Sequence, residues 1–142
     1  MSSRLISRMP FRIELGKCDP AGVTYYPNYF AWFDAATWQL LERAGVAARY
    51  LSAASQIYIP VADARGRFLR PGNLGDELVM ESHVEEWRER FFLVKHRALL
   101  GQELILEGEE LRAWVTRHPD DTRRLRAQPI PDEVKQAFTR GP

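Results

Sequence analysis

Asp19 is the residue of this 142-residue chain best placed to do chemistry. It opens the turn Asp19-Pro20-Ala21-Gly22, where Pro20 fixes φ and Gly22 can take φ > 0, so the backbone is pinned into one shape. An apolar, aromatic-rich helix begins a few residues on, near Pro27. Proline is favoured at the first helical position because it has no N–H to waste. A helix N-terminus presents free backbone N–H groups and a partial positive charge. A carboxylate held beside such an end is what acyl transfer needs: one group attacks or activates water, and the other holds the developing oxyanion. The same residues also read as a plain turn in which Asp19 caps nearby N–H groups, and composition alone favours that simpler account. Cys18 is a rival nucleophile. It adjoins Asp19 in a strand-to-turn segment, however, where successive side chains diverge, and a small buried thiol is its expected role.

Basic residues gather in two places: Arg88 and Arg90 at a strand junction, and Arg123, Arg124 and Arg126 in the C-terminal part. Charge runs usually form solvated faces, but two arginine clusters with little nearby acid apart from Glu89 can also grip the phosphates of a nucleotide-bearing substrate. His83, His96 and His118 do not fall at metal-ligand spacing, and the first two sit on strands as half-buried structural residues. Asp34 is expected on the surface or at an interface, with Ala35 and Ala36 beside it suggesting close packing. The chain has no Gly-x-Ser-x-Gly elbow, no phosphate-binding glycine loop and no His-Glu-x-x-His helix, which argues against a serine hydrolase or a zinc hydrolase. Net charge is +1, so nothing points to wholesale nucleic-acid or membrane binding. Cys18 is the single cysteine, so no internal disulfide is possible. With no long apolar core in residues 1–8, it points to a reducing, cytoplasmic setting. No run approaches the roughly 18–20 apolar residues that span a bilayer.

The elements that must position these groups follow from periodicity. A hydrophobic fraction of 45% suits one domain, residues 1–142, with its own core. Residues 1–8 form a loose start, and Phe11 to Leu15 alternates as a half-buried strand. In the helix after Pro27, Tyr29, Phe33, Ala36, Leu40, Leu41 and Ala44 make an apolar stripe, and Gly45 is its natural stop. Ala47 to Ala54 forms one or two short helical turns. Ile57 to Leu69 reads either as two short strands around Asp63-Ala64-Arg65-Gly66 or as one long strand bent at Gly66. Pro71-Gly72-Asn73 is a break. Strands follow at Glu77 to Trp87, Phe91 to Leu99 and Glu103 to Thr116, with Gly101-Gln102 a tight connection. His118 to Pro131 is a basic, proline-broken tail, and Asp132 to Phe138 is a short helix. This order predicts an α+β fold, one antiparallel sheet wrapped over one central helix.

Residues 14–29, Glu-Leu-Gly-Lys-Cys-Asp-Pro-Ala-Gly-Val-Thr-Tyr-Tyr-Pro-Asn-Tyr, closely resemble the 4-hydroxybenzoyl-CoA thioesterase family of hotdog-fold enzymes. The likeness continues through Trp32 to Ala36, Pro71 to Glu77, Glu86-Trp87-Arg88, Lys95-His96 and Leu125-Arg126-Ala127, and so spans about residues 10–131. It implies a helix wrapped by five or six antiparallel strands, with Ile57 to Leu69 as one long bent strand. It implies a homodimer with two active sites across its interface, usually paired again into a homotetramer. Asp19 takes the family's catalytic role, as nucleophile or as general base, and the Tyr26 N–H polarises the thioester carbonyl. Arg88, Arg90, Arg124 and Arg126 bind coenzyme A, which enters as part of an acyl-CoA substrate, and no other cofactor, no metal, no nucleic acid and no membrane is implied. Two departures stand out: Glu89 where the family can carry a base, and Lys17 where an acid is common. The stretch from Ile57 to Arg67 matches poorly, so aryl specificity does not transfer. Rival readings are a thioesterase for short aliphatic acyl-CoA or acyl-carrier-protein substrates, and a non-catalytic module that holds an acyl thioester. Retention of the Asp19 block argues against the module. A hotdog dehydratase needs a histidine in residues 18–34, which hold none.

Overall fold

The computed structural model describes residues 4–139. The alternation in β3 (Glu77–Trp87) buries Leu78, Met80, Ser82 and Val84 on one side. Around it an antiparallel sheet forms in the order β1-β3-β4-β5-β2, with β1 Ser7–Arg12, β2 Val61–Phe68, β4 Phe91–Leu100 and β5 Glu103–Ala113. The long helix α1 (Pro27–Arg43) lies across β1, β3, β4 and β5, burying Tyr29, Phe33, Ala36, Thr37, Leu40 and Leu41. It stops at Gly45, whose φ of 77° places a left-handed residue just past the last turn. This is the hotdog arrangement expected from the sequence. The short helix α2 (Val46–Tyr50) follows, and α3 (Asp132–Ala137) seats Val134 and nearby Phe138 against Leu40, Phe92 and Trp114.

The helix approaches the sheet closely because two glycines face each other there. Gly66 and Gly108 are register partners across β2 and β5. A Cβ on Gly108 would sit 2.1 Å from the Phe33 ring, so only glycine admits that ring. Phe33 itself is fully buried, worth about 1.5–3 kcal/mol of apolar transfer.

Several boundaries differ from expectation. The first strand is Ser7–Arg12 rather than Phe11 to Leu15. Residues 13–17 instead close onto the start of β3, through Ile13 N–H to Asp76 O at 3.0 Å and Gly75 N–H to Ile13 O at 2.8 Å, and then turn, leaving Leu15 exposed. Of the expected loose start, residues 1–3 lie outside the described residues, while Leu5 is buried and Ser7 begins β1. One strand, not two, occupies the region before Pro71, but its irregularity falls between Val61 and Asp63, and Gly66 stays in register. The expected tail is a hairpin: β6 (Val115–His118) pairs with β7 (Asp121–Ala127) as a separate two-stranded sheet. Basic side chains hide that pairing from a periodicity reading, because neither face of β7 is apolar. Among the described residues no helix is long and apolar enough to cross a membrane.

Candidate active site

Asp19 sits in a small closed loop. Its N–H donates to Val23 O at 2.8 Å, and Cys18 bridges to Thr24 across the loop mouth. The Asp19 Oδ1 accepts the N–H groups of Ala21 at 2.9 Å and Val23 at 3.3 Å. The capping turn is therefore real: it immobilises the carboxylate and leaves Asp19 Oδ2 without a partner among the described residues. Cys18 points away from this arrangement, its Sγ 3.5 Å from Glu14 O.

Tyr26 caps α1, with φ −56° and ψ −32°, and Pro27 follows at the first helical position. The Tyr26 N–H makes no hydrogen bond among the described residues, and Pro27 has none to give. One free donor thus marks the helix start. Beside it lies a cavity of about 320 Å³ lined by Thr24, Tyr26, Tyr29, Phe68, Leu69, Arg70 and Pro71. Phe68 stacks edge-on to Tyr26 and tilts over Tyr29, with ring centroids 6.4 and 5.6 Å away. The cavity wall is fixed from behind, where Gly72 N–H donates to Tyr29 Oη at 3.0 Å and Thr24 N–H to Gly72 O at 2.8 Å.

The four predicted arginines occupy the other end of the molecule. Arg88 and Arg90 lie in the exposed β3–β4 turn, and Arg124 and Arg126 are exposed on β7. Two backbone bonds hold the turn and the hairpin together: Trp114 N–H to Arg90 O at 2.9 Å and Ile130 N–H to Glu89 O at 2.8 Å. Arg88 is bound to Glu86 through two bonds of 3.1 and 3.0 Å, whereas Arg90, Arg124 and Arg126 make no ion pair among the described residues. The arginine clusters are brought together with each other, but not with Asp19. The Asp19 loop borders the residues just before Glu77, the arginines follow Trp87, and the strand between is eleven residues, about 30 Å long.

Sequence reasoning missed a second polar group, buried between the two apolar clusters of the core. His96 Nδ1 lies 2.7 Å from Ser82 Oγ, and His96 Nε2 lies 3.0 Å from Glu110 Oε1. Thr37 on α1 donates to the same Glu110 oxygen. Arg112 donates to Glu110 Oε2 at 2.8 Å, to Asp34 Oδ1 at 2.7 Å and to Ile59 O at 2.9 Å. A carboxylate only accepts, so His96 carries its proton on Nε2 and accepts from the Ser82 hydroxyl at Nδ1. Burial pushes the His96 imidazole below its ordinary value, against the pull of Glu110, so the ring is neutral. Burial also works against the Glu110 carboxylate. The His96 hydrogen bond, the Arg112 charge and the Thr37 hydroxyl outweigh it, and its pKa falls below the ordinary value. His96 is thus fully buried rather than half-buried, and Asp34 is the network's exposed end. The signal was present in β5, where Glu110 and Arg112 share the inward parity of Leu106 and Gly108. Among the described residues no cluster of His, Cys, Asp and Glu could hold a metal ion.

A model of the thioesterase-like superfamily matches residues 13–138. The 4-hydroxybenzoyl-CoA thioesterase of Pseudomonas sp. strain CBS-3 is 30% identical over 130 residues, covering 87% of this chain and 90% of that enzyme. Its solved structure superposes with a TM-score of 0.83 at 29% identity, over 95% of this chain and 99% of the other. A gentisyl-coenzyme A thioesterase structure gives a TM-score of 0.78 at 27% identity, over 93% and 98%. A 1,4-dihydroxy-2-naphthoyl-CoA hydrolase of Synechococcus sp. strain WH7803 is 27% identical over 132 residues, 88% of this chain and 83% of its own.

Proposed function

This chain belongs to the thioesterase-like superfamily, and from that footing we propose that it hydrolyses an aromatic acyl-CoA with Asp19 as the reacting carboxylate. The observations that carry the reading are an immobilised Asp19 in the loop that runs into α1, bridged through Cys18 to the cavity-lining Thr24, and the free Tyr26 N–H beside that aromatic-walled cavity. The thioester oxygen accepts the Tyr26 N–H, which strengthens as negative charge develops on it. The free Asp19 Oδ2 either attacks the carbonyl carbon or takes a proton from the attacking water; both routes consume one water and release the acid and the coenzyme A thiol. The names of the three enzymes just described denote ring-hydroxylated aryl acyl groups. Tyr26, Tyr29 and Phe68 offer the flat apolar walls such a ring stacks on, which favours an aryl over a short aliphatic acyl group.

The separation of Asp19 from the arginines is resolved by a second copy. The edge strand β1 carries Pro10, which lacks an N–H and blunts pairing, whereas the opposite edge, β2, is free of proline, and all but Gly66 of its residues are exposed. Two copies paired antiparallel through β2 place the Phe68 end of one beside the Val61 end of the other. That end lies near the β6–β7 hairpin, tied to it through Tyr58 and Val115. One protomer then supplies Asp19 and Tyr26, and its partner supplies the arginines for the coenzyme A phosphates.

The test is thiol release from 4-hydroxybenzoyl-, benzoyl-, acetyl- and butyryl-CoA by the wild type and by Asp19→Asn. Turnover on the aryl thioesters should fall by about 10²–10⁴ in the variant, the usual contribution of a positioned acid–base group. Equal activity of the two proteins, or turnover confined to aliphatic chains, would overturn the reading.

A further inference from the structure

We propose that Asn28 is a positioning residue that fixes the Asp19 carboxylate relative to the Tyr26 N–H. The inference rests on the role of Asp19 just proposed. The Asp19 loop is anchored on two sides. On one side it is tied to the segment before β3, through Thr24 N–H and Oγ1 to Gly72 O and Leu74 N–H to Gly22 O. Those bonds set where the loop lies on the sheet. They do not set where it lies relative to α1, and the oxyanion donor travels with α1.

The second anchor does this. Lys17 O, two residues before Asp19, accepts two donors: the Tyr25 N–H at 2.8 Å and the Asn28 Nδ2 at 3.0 Å. The Asn28 N–H in turn donates to Tyr25 O at 3.0 Å. Lys17, Tyr25 and Asn28 therefore form a closed three-cornered clasp, and Tyr26, with its unused N–H, is the residue enclosed between two of the corners. Asn28 supplies the one side-chain bond among the described residues that joins the first turn of α1 to the Asp19 loop. It does so from a half-buried position, pointing away from the stripe that carries Tyr29 and Phe33 into the core. The bond's worth to folding is accordingly small, while its worth to geometry is not: displacing a reacting group by about 1 Å can cost 10²-fold in rate.

Asn28→Asp separates the two roles. The substitution keeps the shape, and the first turn of α1 holds no acidic residue and no side-chain cap, so a carboxylate there is favoured by the helix N-terminus. A carboxylate cannot donate to Lys17 O. Asn28→Asp and Asn28→Ala should each lower kcat on 4-hydroxybenzoyl-CoA by about 10- to 100-fold, with KM within about threefold of wild type. The melting temperature of Asn28→Asp should stay at or above that of the wild type. Wild-type kcat in either folded variant overturns the inference, as does a change in KM larger than the change in kcat, which would place Asn28 against the substrate instead. Asp19→Asn is measured in the same series: if it retains activity, the assignment of Asp19 fails, and if it collapses while the Asn28 variants do not, only the positioning role fails.

Discussion

Replacing Arg112 by methionine should be among the most damaging single changes outside the apolar core. Arg112 and Glu110 are each 3% exposed at the side chain, and Arg112 is the one cation among the described residues in contact with that carboxylate. Methionine fills the space of the aliphatic stem and removes the charge. Glu110 then keeps its bonds from His96 and Thr37 but faces no counter-charge, and an uncompensated buried charge costs about 3–5 kcal/mol. Asp34→Asn breaks the other end of the same guanidinium's contacts. Asp34 is 54% exposed, so water screens that pair and the loss should stay below about 1 kcal/mol. The combined Arg112→Met and Glu110→Gln protein removes both charges and should be less destabilised than the sum of its two single variants. Urea unfolding at neutral pH and one fixed protein concentration measures the wild type and all four variants, with an unchanged m-value as the check that the same transition is compared. Arg112→Met within about 1 kcal/mol of wild type, or strict additivity in the double variant, would refute the account of the network as a compensated buried charge.

Two further outcomes follow from the same structure. His96 and Glu110 both have folded pKa values below their ordinary 6.5 and 4.5, so the native state binds fewer protons than the unfolded one. Their contribution to stability is complete above pH 6.5, declines below it as the unfolded state takes up protons at His96, and declines again below pH 4.5 through Glu110. Thermal melts stepped from pH 8 to pH 4 should trace both losses, and His96→Gln should abolish the upper one. Arg124→Ala and Arg126→Ala remove exposed, unpaired guanidiniums, so each should raise KM for an aryl-CoA by about three- to fivefold at low salt with kcat unchanged. Neither should affect a pantetheine thioester that lacks the nucleotide, and initial-rate measurements on both substrates decide it.

Most of the site's local geometry could be read directly from the residues, because it is built from neighbours. Asp19, Pro20 and Gly22 make a turn wherever they occur together, and Pro27 starts a helix, so the carboxylate and the free N–H are both consequences of one short stretch. The β3–β4–β5 meander was equally legible from alternation and from Gly101. What could not be read is what depends on pairing between distant residues. Gly66 suggested a bend when taken alone; it stays in register with Gly108, and the pair meets α1 through the Phe30 ring at Gly66 and the Phe33 ring at Gly108. Glu110 and Arg112 sit at inward positions in a strand whose polar residues otherwise face out, and their meaning depends on His96 from β4 and Thr37 from α1. The hairpin β6–β7 carries no apolar face to announce it.

The placement of the arginines shows why such long-range facts matter for function. In sequence, Asp19 and Arg88 are simply two polar positions in one domain, and nothing in their spacing says whether they meet. The register does. Arg12 pairs with Glu77 at one end of β3, while Trp87 pairs with Phe92 at the other, so the carboxylate and the arginines are held at opposite ends of a strand that neither can bend around. A substrate touching both must span the sheet or lie across two molecules. The exposed edge β2 runs between the same two ends, from Val61 near the hairpin to Phe68 in the cavity wall. An antiparallel partner on that edge would reverse the ends and set the arginine end of one copy beside the Asp19 end of the other. The separation that β3 imposes within one chain is thus the one that a partner paired along β2 would close.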